Sequence, residues 1–172
     1  MGELKEIRRK VDKALKRLYD KDQCLFERNP PRGLSERCIV FRFAHYLQHE
    51  FADYYVDCDF NSSFFEKVQP SGKPIPNQDG TITKRFVDII IHKRDCGSGS
   101  GYINNFVCFE IKKWNNKKIK GIEKDKNNLR VLTTQYGYKY GFHIVLGKSK
   151  NKTTIEVFGQ NGSNHPLHLT WE

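Results

Sequence analysis

Apolar positions recur along this chain with two different periods, and the switches between them lay out its elements. Leu4, Ile7, Val11, Ala14 and Leu18 fall three or four apart, which predicts an amphipathic helix over residues 3–20. Its other face carries Arg8, Arg9, Lys13, Lys16 and Arg17, either a phosphate-contacting surface or a solvated one. The run Asn29-Pro30-Pro31-Arg32-Gly33 breaks the chain. A second helix is predicted from about Ser35 to Phe51, with Val40, Phe43, Leu47 and Phe51 in one stripe.

From Tyr54 to Phe60 the period changes to two. Val56, Cys58 and Phe60 point one way and Asp57 and Asp59 the other, as in a half-buried edge strand. Residues 61–84, with Pro70, Pro74 and Pro76, read as a long loop. Phe86 to His92 and Phe106 to Ile111 are dense in β-branched and aromatic residues, hence buried strands, joined as a hairpin by the Gly-Ser-rich stretch 94–105. Ile119, Ile122, Leu129 and Leu132 predict a helix over 118–135, and Gly141 to Leu146, Thr153 to Phe158 and Leu167 to Trp171 close the chain as strands. The economical way to bury these runs is an α/β fold with a central mixed β-sheet flanked by helices. At 172 residues the chain reads as one domain: an N-terminal helix and linker (1–33), a core (34–147) and C-terminal strands (148–172).

Charge narrows the partners. Thirty Lys and Arg against twenty Asp and Glu leave a net charge of +10, which concentrates polyanions at the surface and makes nucleic acid the default expectation. The five cysteines (Cys24, Cys38, Cys58, Cys96, Cys108) form no zinc-ligand spacing, and Cys38 and Cys108 sit in apolar runs where a thiol serves as a small hydrophobe. An odd count without a disulfide framework suits a reducing compartment, so the expected location is the cytoplasm. No apolar run is long enough to span a bilayer, and the start lacks the apolar core of a signal peptide.

Two polar residues interrupt the most apolar strands. Asp88 lies inside FVDIIIH, and Glu110 lies inside FVCFEI, two residues before Lys112. A carboxylate in a buried strand costs several kcal/mol unless it is paired or binds metal. Adjacent strands would bring both acids to one side, where a divalent cation relieves their repulsion. Lys112 shares a strand face with Glu110, so its ammonium enters the same site, and the Ile111 carbonyl is a further oxygen ligand. The plain alternative is a structural ion pair among Asp88, Glu110 and Lys112. Context distinguishes this triplet from Glu3-Leu4-Lys5, which sits on a solvent-facing helix. Glu36 extends the buried stripe to the start of its helix. On residues alone it suits the helix N-terminus and the metal site equally.

With those residues in view, the sequence resembles the PD-(D/E)XK nuclease superfamily, the restriction-endonuclease-like fold. The resemblance rests on RFVDIII (Asp88), FEIKKW (Glu110, Lys112) and SER (Glu36), and spans about Ser35 to Leu146. Val87 stands where the name-giving proline would be, and the Asp88-to-Glu110 spacing is long. The resemblance implies a Mg²⁺- or Mn²⁺-dependent endonuclease acting on DNA. Asp88, Glu110 and the Ile111 carbonyl would hold the metal, Lys112 would orient the attacking water, and Glu36 would stand beside them. Lys113, Trp114, Lys117, Lys118, Lys120, Lys124 and Lys126 follow closely and are candidate contacts for the phosphate backbone, Lys126 from between Ile122 and Leu129. The N-terminal helix is a candidate homodimer surface.

Other patterns carry less. His45 and His49 have metal-ligand spacing but lie off the apolar stripe, so both are expected exposed. Gly147-Lys148-Ser149 lacks the upstream glycine of a phosphate loop, and Gly97, Gly99 and Gly101 join two strands instead of opening a helix. Two competing functions remain: a nucleic-acid-binding module that keeps the nuclease fold without cleavage, and an interaction subunit whose basic face meets an acidic partner.

Overall fold

The computed structural model describes residues 2–26, 35–60, 73–76, 82–93, 104–114, 119–160 and 164–165. Helices α1 (Gly2–Lys21), α2 (Glu36–Glu50) and α3 (Ile119–Gln135) surround strands β1 (Tyr55–Phe60), β2 (Lys73–Pro76), β3 (Ile82–Arg85), β4 (Val87–Lys93), β5 (Asn104–Lys113), β6 (Tyr140–Leu146), β7 (Thr154–Gly159) and β8 (Asn164–His165). Six strands form one sheet in the order β1-β4-β5-β6-β7-β8. All its pairs are antiparallel except β5–β6. That parallel pair requires a crossover, and α3 supplies it.

This is the mixed sheet flanked by helices that the apolar periods imply. The β4–β5 pairing bears out the expected hairpin, with Ile89 opposite Phe109 and Ile90 opposite Cys108. The reading of 61–84 as loop is corrected in part. β2 and β3 pair as a separate two-stranded antiparallel sheet despite Pro74 and Pro76. Each strand of a two-stranded ribbon has one neighbour only, so a proline lacking its N–H need not break a ladder. The expected strand at 167–171, the loop at 61–72 and the connector at 94–103 lie outside the described residues.

The two faces of the sheet are packed differently. One buries Ile89, Ile91, Phe109, Ile111, Phe142, Ile144, Ile155 and Val157 against Ile7, Val11, Leu15 and Leu18 of α1 and Ile39, Phe43 and Leu47 of α2. Phe109 stacks on Phe142 at 5.2 Å and takes the edge of Phe43 at 6.1 Å. The apolar stripe of α1 is thus taken up inside the chain. Of its basic face, Arg9 pairs with Glu6, Lys16 with Asp20, and Lys13 and Arg17 with Glu50. The other face packs Ile90, Cys108 and Phe158 beneath Leu129 and Leu132 of α3. Gly141 lets that helix approach: a Cβ there would lie 3.2 Å from the Leu129 side chain.

Cys108 is buried as expected, whereas Cys38 is exposed. In a helix, consecutive residues point about 100° apart, so the buried Ile39 and Val40 leave Cys38 outside the stripe. Among the described residues no helix is long and apolar enough to cross a membrane.

Candidate active site

Asp88 reaches the site because β5 outruns its pairing with β4. Continuing the register of Ile89 with Phe109 by one step places Asp88 opposite Glu110. Beyond the last registered pair, the Ile111 N–H donates to Asp88 Oδ2 at 2.7 Å. Burial pushes Asp88 up from 3.8 to about 6, against the Ile111 N–H and the Lys112 ammonium, with Asp125 and Glu36 adding repulsion.

Glu110 is 4% exposed and accepts a hydrogen bond from Asn128 Nδ2 at 3.2 Å. Burial first, then the neighbouring Asp88 and Asp125, hold its carboxyl well above the ordinary range. Lys112 lies 3.0 Å from Asp125 Oδ2 and 3.7 Å from Glu36 Oε1. Burial would lower the lysine, but Asp125, Asp88 and Glu36 together outweigh it and raise it.

Glu36 lies in the first turn of α2 and its side chain also reaches the strands. Ser35, the N-cap of α2, makes no side-chain cap bond, and the Glu36 carboxylate turns across to β5. There it accepts from the Lys113 backbone N–H at 3.1 Å and faces Lys112. The helix start and the strand end are thereby tied together at the sheet edge.

Asp88, Glu110, Lys112 and Glu36 therefore converge. Two α3 residues join them that the sequence reading missed, Asp125 and Asn128. With Leu129 and Leu132 they recur at i, i+3, i+4 and i+7, so they belong to the buried stripe of α3. Extending that stripe backwards from Leu129 and Leu132 would have found them. Ile122, on which the expected stripe leaned, is only half-buried.

His143 was missed as well. It is the β6 partner of Glu110 in register and the β7-facing partner of Glu156, which continues the polar row across the sheet. It is 2% exposed, its Nε2 has no hydrogen-bond partner among the described residues, and burial drives it down to about 4. A histidine inside YGFHIVL is the same kind of interruption that singled out Asp88 and Glu110.

The expected phosphate contacts separate. Lys126 points inward and is held at 2.7 Å by Glu156. Lys113 lies over the Trp114 ring at 5.1 Å, and its Nζ donates to the Leu25 carbonyl at 3.5 Å. Trp114 is half-buried against the core, with its ring 6.2 Å from Phe26. Lys124 is exposed. Lys117, Lys118 and the side chain of Lys120 lie outside the described residues.

Of the weaker patterns, His45 and His49 are exposed as expected. Gly147 is a turn between β6 and β7, its N–H donating to Thr153 Oγ1 at 3.1 Å and its carbonyl accepting from the Tyr19 hydroxyl at 2.9 Å. In the Glu3-Leu4-Lys5 copy both charged residues are exposed, and Glu3 pairs with Lys139 at 3.2 Å. β1 does form a sheet edge, but Asp57 is not simply solvent-facing: its Oδ2 lies 2.6 Å from Nε2 of the buried His92.

The charge of the cluster is unbalanced. Four carboxylates (Glu36, Asp88, Glu110, Asp125) face one ammonium (Lys112), a net of three negative charges if all ionise. Such an excess in a largely buried place calls for protons or a cation. Oxygen donors of this kind suit Mg²⁺ or Mn²⁺. Among the described residues no three His, Cys, Asp or Glu side chains by themselves converge as a metal-binding group. A cation held by Asp88 and Glu110 would thus draw on backbone oxygen and water. No family model, curated protein or solved structure matches this chain.

Proposed function

We propose that this protein is a metal-dependent nuclease hydrolysing phosphodiester bonds, with DNA as its substrate. One observation carries the reading: two carboxylates on neighbouring strands, the half-buried Asp88 and the buried Glu110, stand beside a single lysine and are both pushed up. In this reading Asp88, Glu110 and the Ile111 carbonyl hold Mg²⁺ or Mn²⁺. When bound, that ion supplies a Lewis acid for the phosphate and acidifies a water. Lys112 presents its ammonium where negative charge develops on the phosphate, and orients the attacking water. Glu36 and Asp125 keep Lys112 protonated and in place. Asn128 fixes the Glu110 carboxylate by donating to Oε1. The net charge of +10 supports a polyanionic substrate.

The test is cleavage of single-stranded, duplex and branched DNA and of RNA with Mg²⁺ or Mn²⁺, using E110A and K112A as controls. The reading expects metal-dependent cleavage that both substitutions abolish. No cleavage of any substrate, together with unchanged metal binding in E110A, would overturn it.

One observation favours a second reading, a nucleic-acid-binding module without cleavage. The Lys112 ammonium already has two carboxylate partners, Asp125 and Glu36, as a purely structural ion cluster would have. Salt-sensitive DNA binding without cleavage, unchanged in D88A and K112A, is the result that reading expects.

A further inference from the structure

Beside Asp88 the surface opens into a cavity of about 420 Å³, within the size range of small-ligand sites. Its lining includes Asp88 and Glu36 of the candidate site, and also Phe41, Phe86, Asp59 and Arg37, which the nuclease reading does not use. Phe41 is 63% exposed and Phe86 58%. Single exposed apolar side chains are ordinary on a protein surface, but these two rings line one cavity, which concentrates apolar area where an occupant can cover it.

The elements explain why both rings are there. Phe41 lies one helical turn beyond Arg37 on the outer side of α2, whose inner side is buried in the core. Phe86 immediately precedes β4, two residues before Asp88. Asp59 falls between the register pairs Cys58–Ile89 and Phe60–Val87, which sets it opposite Asp88 on the edge strand. Its backbone is left-handed, with φ of 50°, a conformation that Asp tolerates better than most residues. Asp59 lines the cavity from that edge.

The chemistry of the lining selects the class of occupant. Three carboxylates against one guanidinium repel a bare phosphate, so the charged backbone does not belong in the cavity. A nucleobase does: it is neutral, its faces stack on aromatic rings, and its amino edge donates to a carboxylate. We propose that this cavity receives an unpaired nucleobase. Phe41 and Phe86 supply stacking surfaces, Asp59 accepts from an exocyclic amino group, and exposed Arg37 meets the adjoining phosphate. The strand bearing that base then lies with its backbone toward Asp88. A base inside a duplex cannot enter without being unstacked, so the preferred substrate is single-stranded or has an unpaired end. The choice of nucleic acid rests on the nuclease reading; the stacking geometry stands on the cavity.

The experiment measures binding of the intact protein in EDTA, where metal-dependent cleavage is off. Fluorescence anisotropy at fixed salt compares a labelled single-stranded oligonucleotide with a blunt duplex of the same sequence, for wild type, F41A, F86A and D59N. The proposal expects tighter binding of the single strand. F41A and F86A should each weaken it by about tenfold while duplex binding stays within twofold. A 2-aminopurine in the strand should lose fluorescence on binding wild type and not on binding F86A. Equal losses on single strand and duplex, or no loss in either variant, overturn the proposal. Both rings are exposed, so folding is not at stake. If wild type cleaves DNA with Mg²⁺ while the phenylalanine variants bind and cut normally, the cavity proposal fails and the nuclease reading survives. If the variants lose single-strand binding but no protein cleaves, the cavity proposal stands and the nuclease reading fails.

Discussion

The two faces of the central sheet differ in what their side chains must do to be buried. Toward α1 and α2, β4 to β7 present Ile89, Ile91, Phe109, Ile111, Phe142, Ile144, Ile155 and Val157, all apolar and satisfied by contact alone. Toward α3 the same strands present Asp88, Glu110, His143 and Glu156 in one row, under Asp125, Lys126 and Asn128. The first face can only stabilise. The second carries groups whose burial is unfavourable and is offset by a few named partners: the Ile111 N–H, Asn128 and Lys112 for the carboxylates, and Lys126 for Glu156. A fold that keeps such a row on one side and an unbroken apolar layer on the other separates stability from chemistry.

The sharpest way to break this contrast is to truncate each face in turn. Phe109→Ala removes a fully buried ring that touches Phe43 and Phe142, and should cost about 3 to 5 kcal/mol in urea unfolding at any pH between 5 and 8. Lys112→Met leaves four carboxylates without their ammonium. It should cost about 3 kcal/mol at pH 8 and clearly less at pH 5, where protonation of Asp88 relieves them.

On the polar face some substitutions should stabilise. Folded Asp88 is raised from 3.8 to about 6, so between these values the folded state holds a proton that the unfolded chain has lost. Its contribution therefore falls as pH rises from about 4 to 6 and stays low above that. Asp88→Asn keeps an acceptor for the Ile111 N–H and removes the charge. It should gain about 2 kcal/mol at pH 8 in EDTA and nothing below pH 4, read from thermal unfolding across pH. A gain of this kind from a polar replacement is not available on the apolar face.

His143 should give a smaller effect of opposite sign. It is lowered from 6.5 to about 4, so the unfolded chain takes up a proton that the folded state refuses, and stability is lost as pH falls from about 6.5 toward 4. His143→Gln should reduce that acid sensitivity, by about 1 to 2 kcal/mol at pH 5 relative to pH 7.

The same contrast explains what the sequence made legible. The apolar cores on both sides of the sheet announce themselves through unbroken runs such as Ile89-Ile90-Ile91 and through helical stripes, so the helices and the principal strands fall within a few residues of their expected limits. Asp88 and Glu110 were legible because each stands alone in such a run. Asp125 and Asn128 were not, because α3 is polar nearly throughout and two more polar residues raise no contrast. Only the spacing to Leu129 and Leu132 marks them. The β2–β3 hairpin was hidden by prolines that a two-stranded ribbon accommodates. The cavity beside Asp88 was hidden too: Phe86 opens a run that reads as a buried strand, and Phe41, off the α2 stripe, has nothing in sequence that ties it to Phe86.

The central claim is that the negative excess on the polar face is a divalent-cation site. It is tested most directly by titrating Mn²⁺ into the protein at pH 8 and following free Mn²⁺ by electron paramagnetic resonance. Wild type should sequester Mn²⁺, Asp88→Asn should bind it at least tenfold more weakly, and excess Mg²⁺ should displace it. Equal binding by wild type and Asp88→Asn, or none by either, would contradict the account and leave the row as a structural ion cluster.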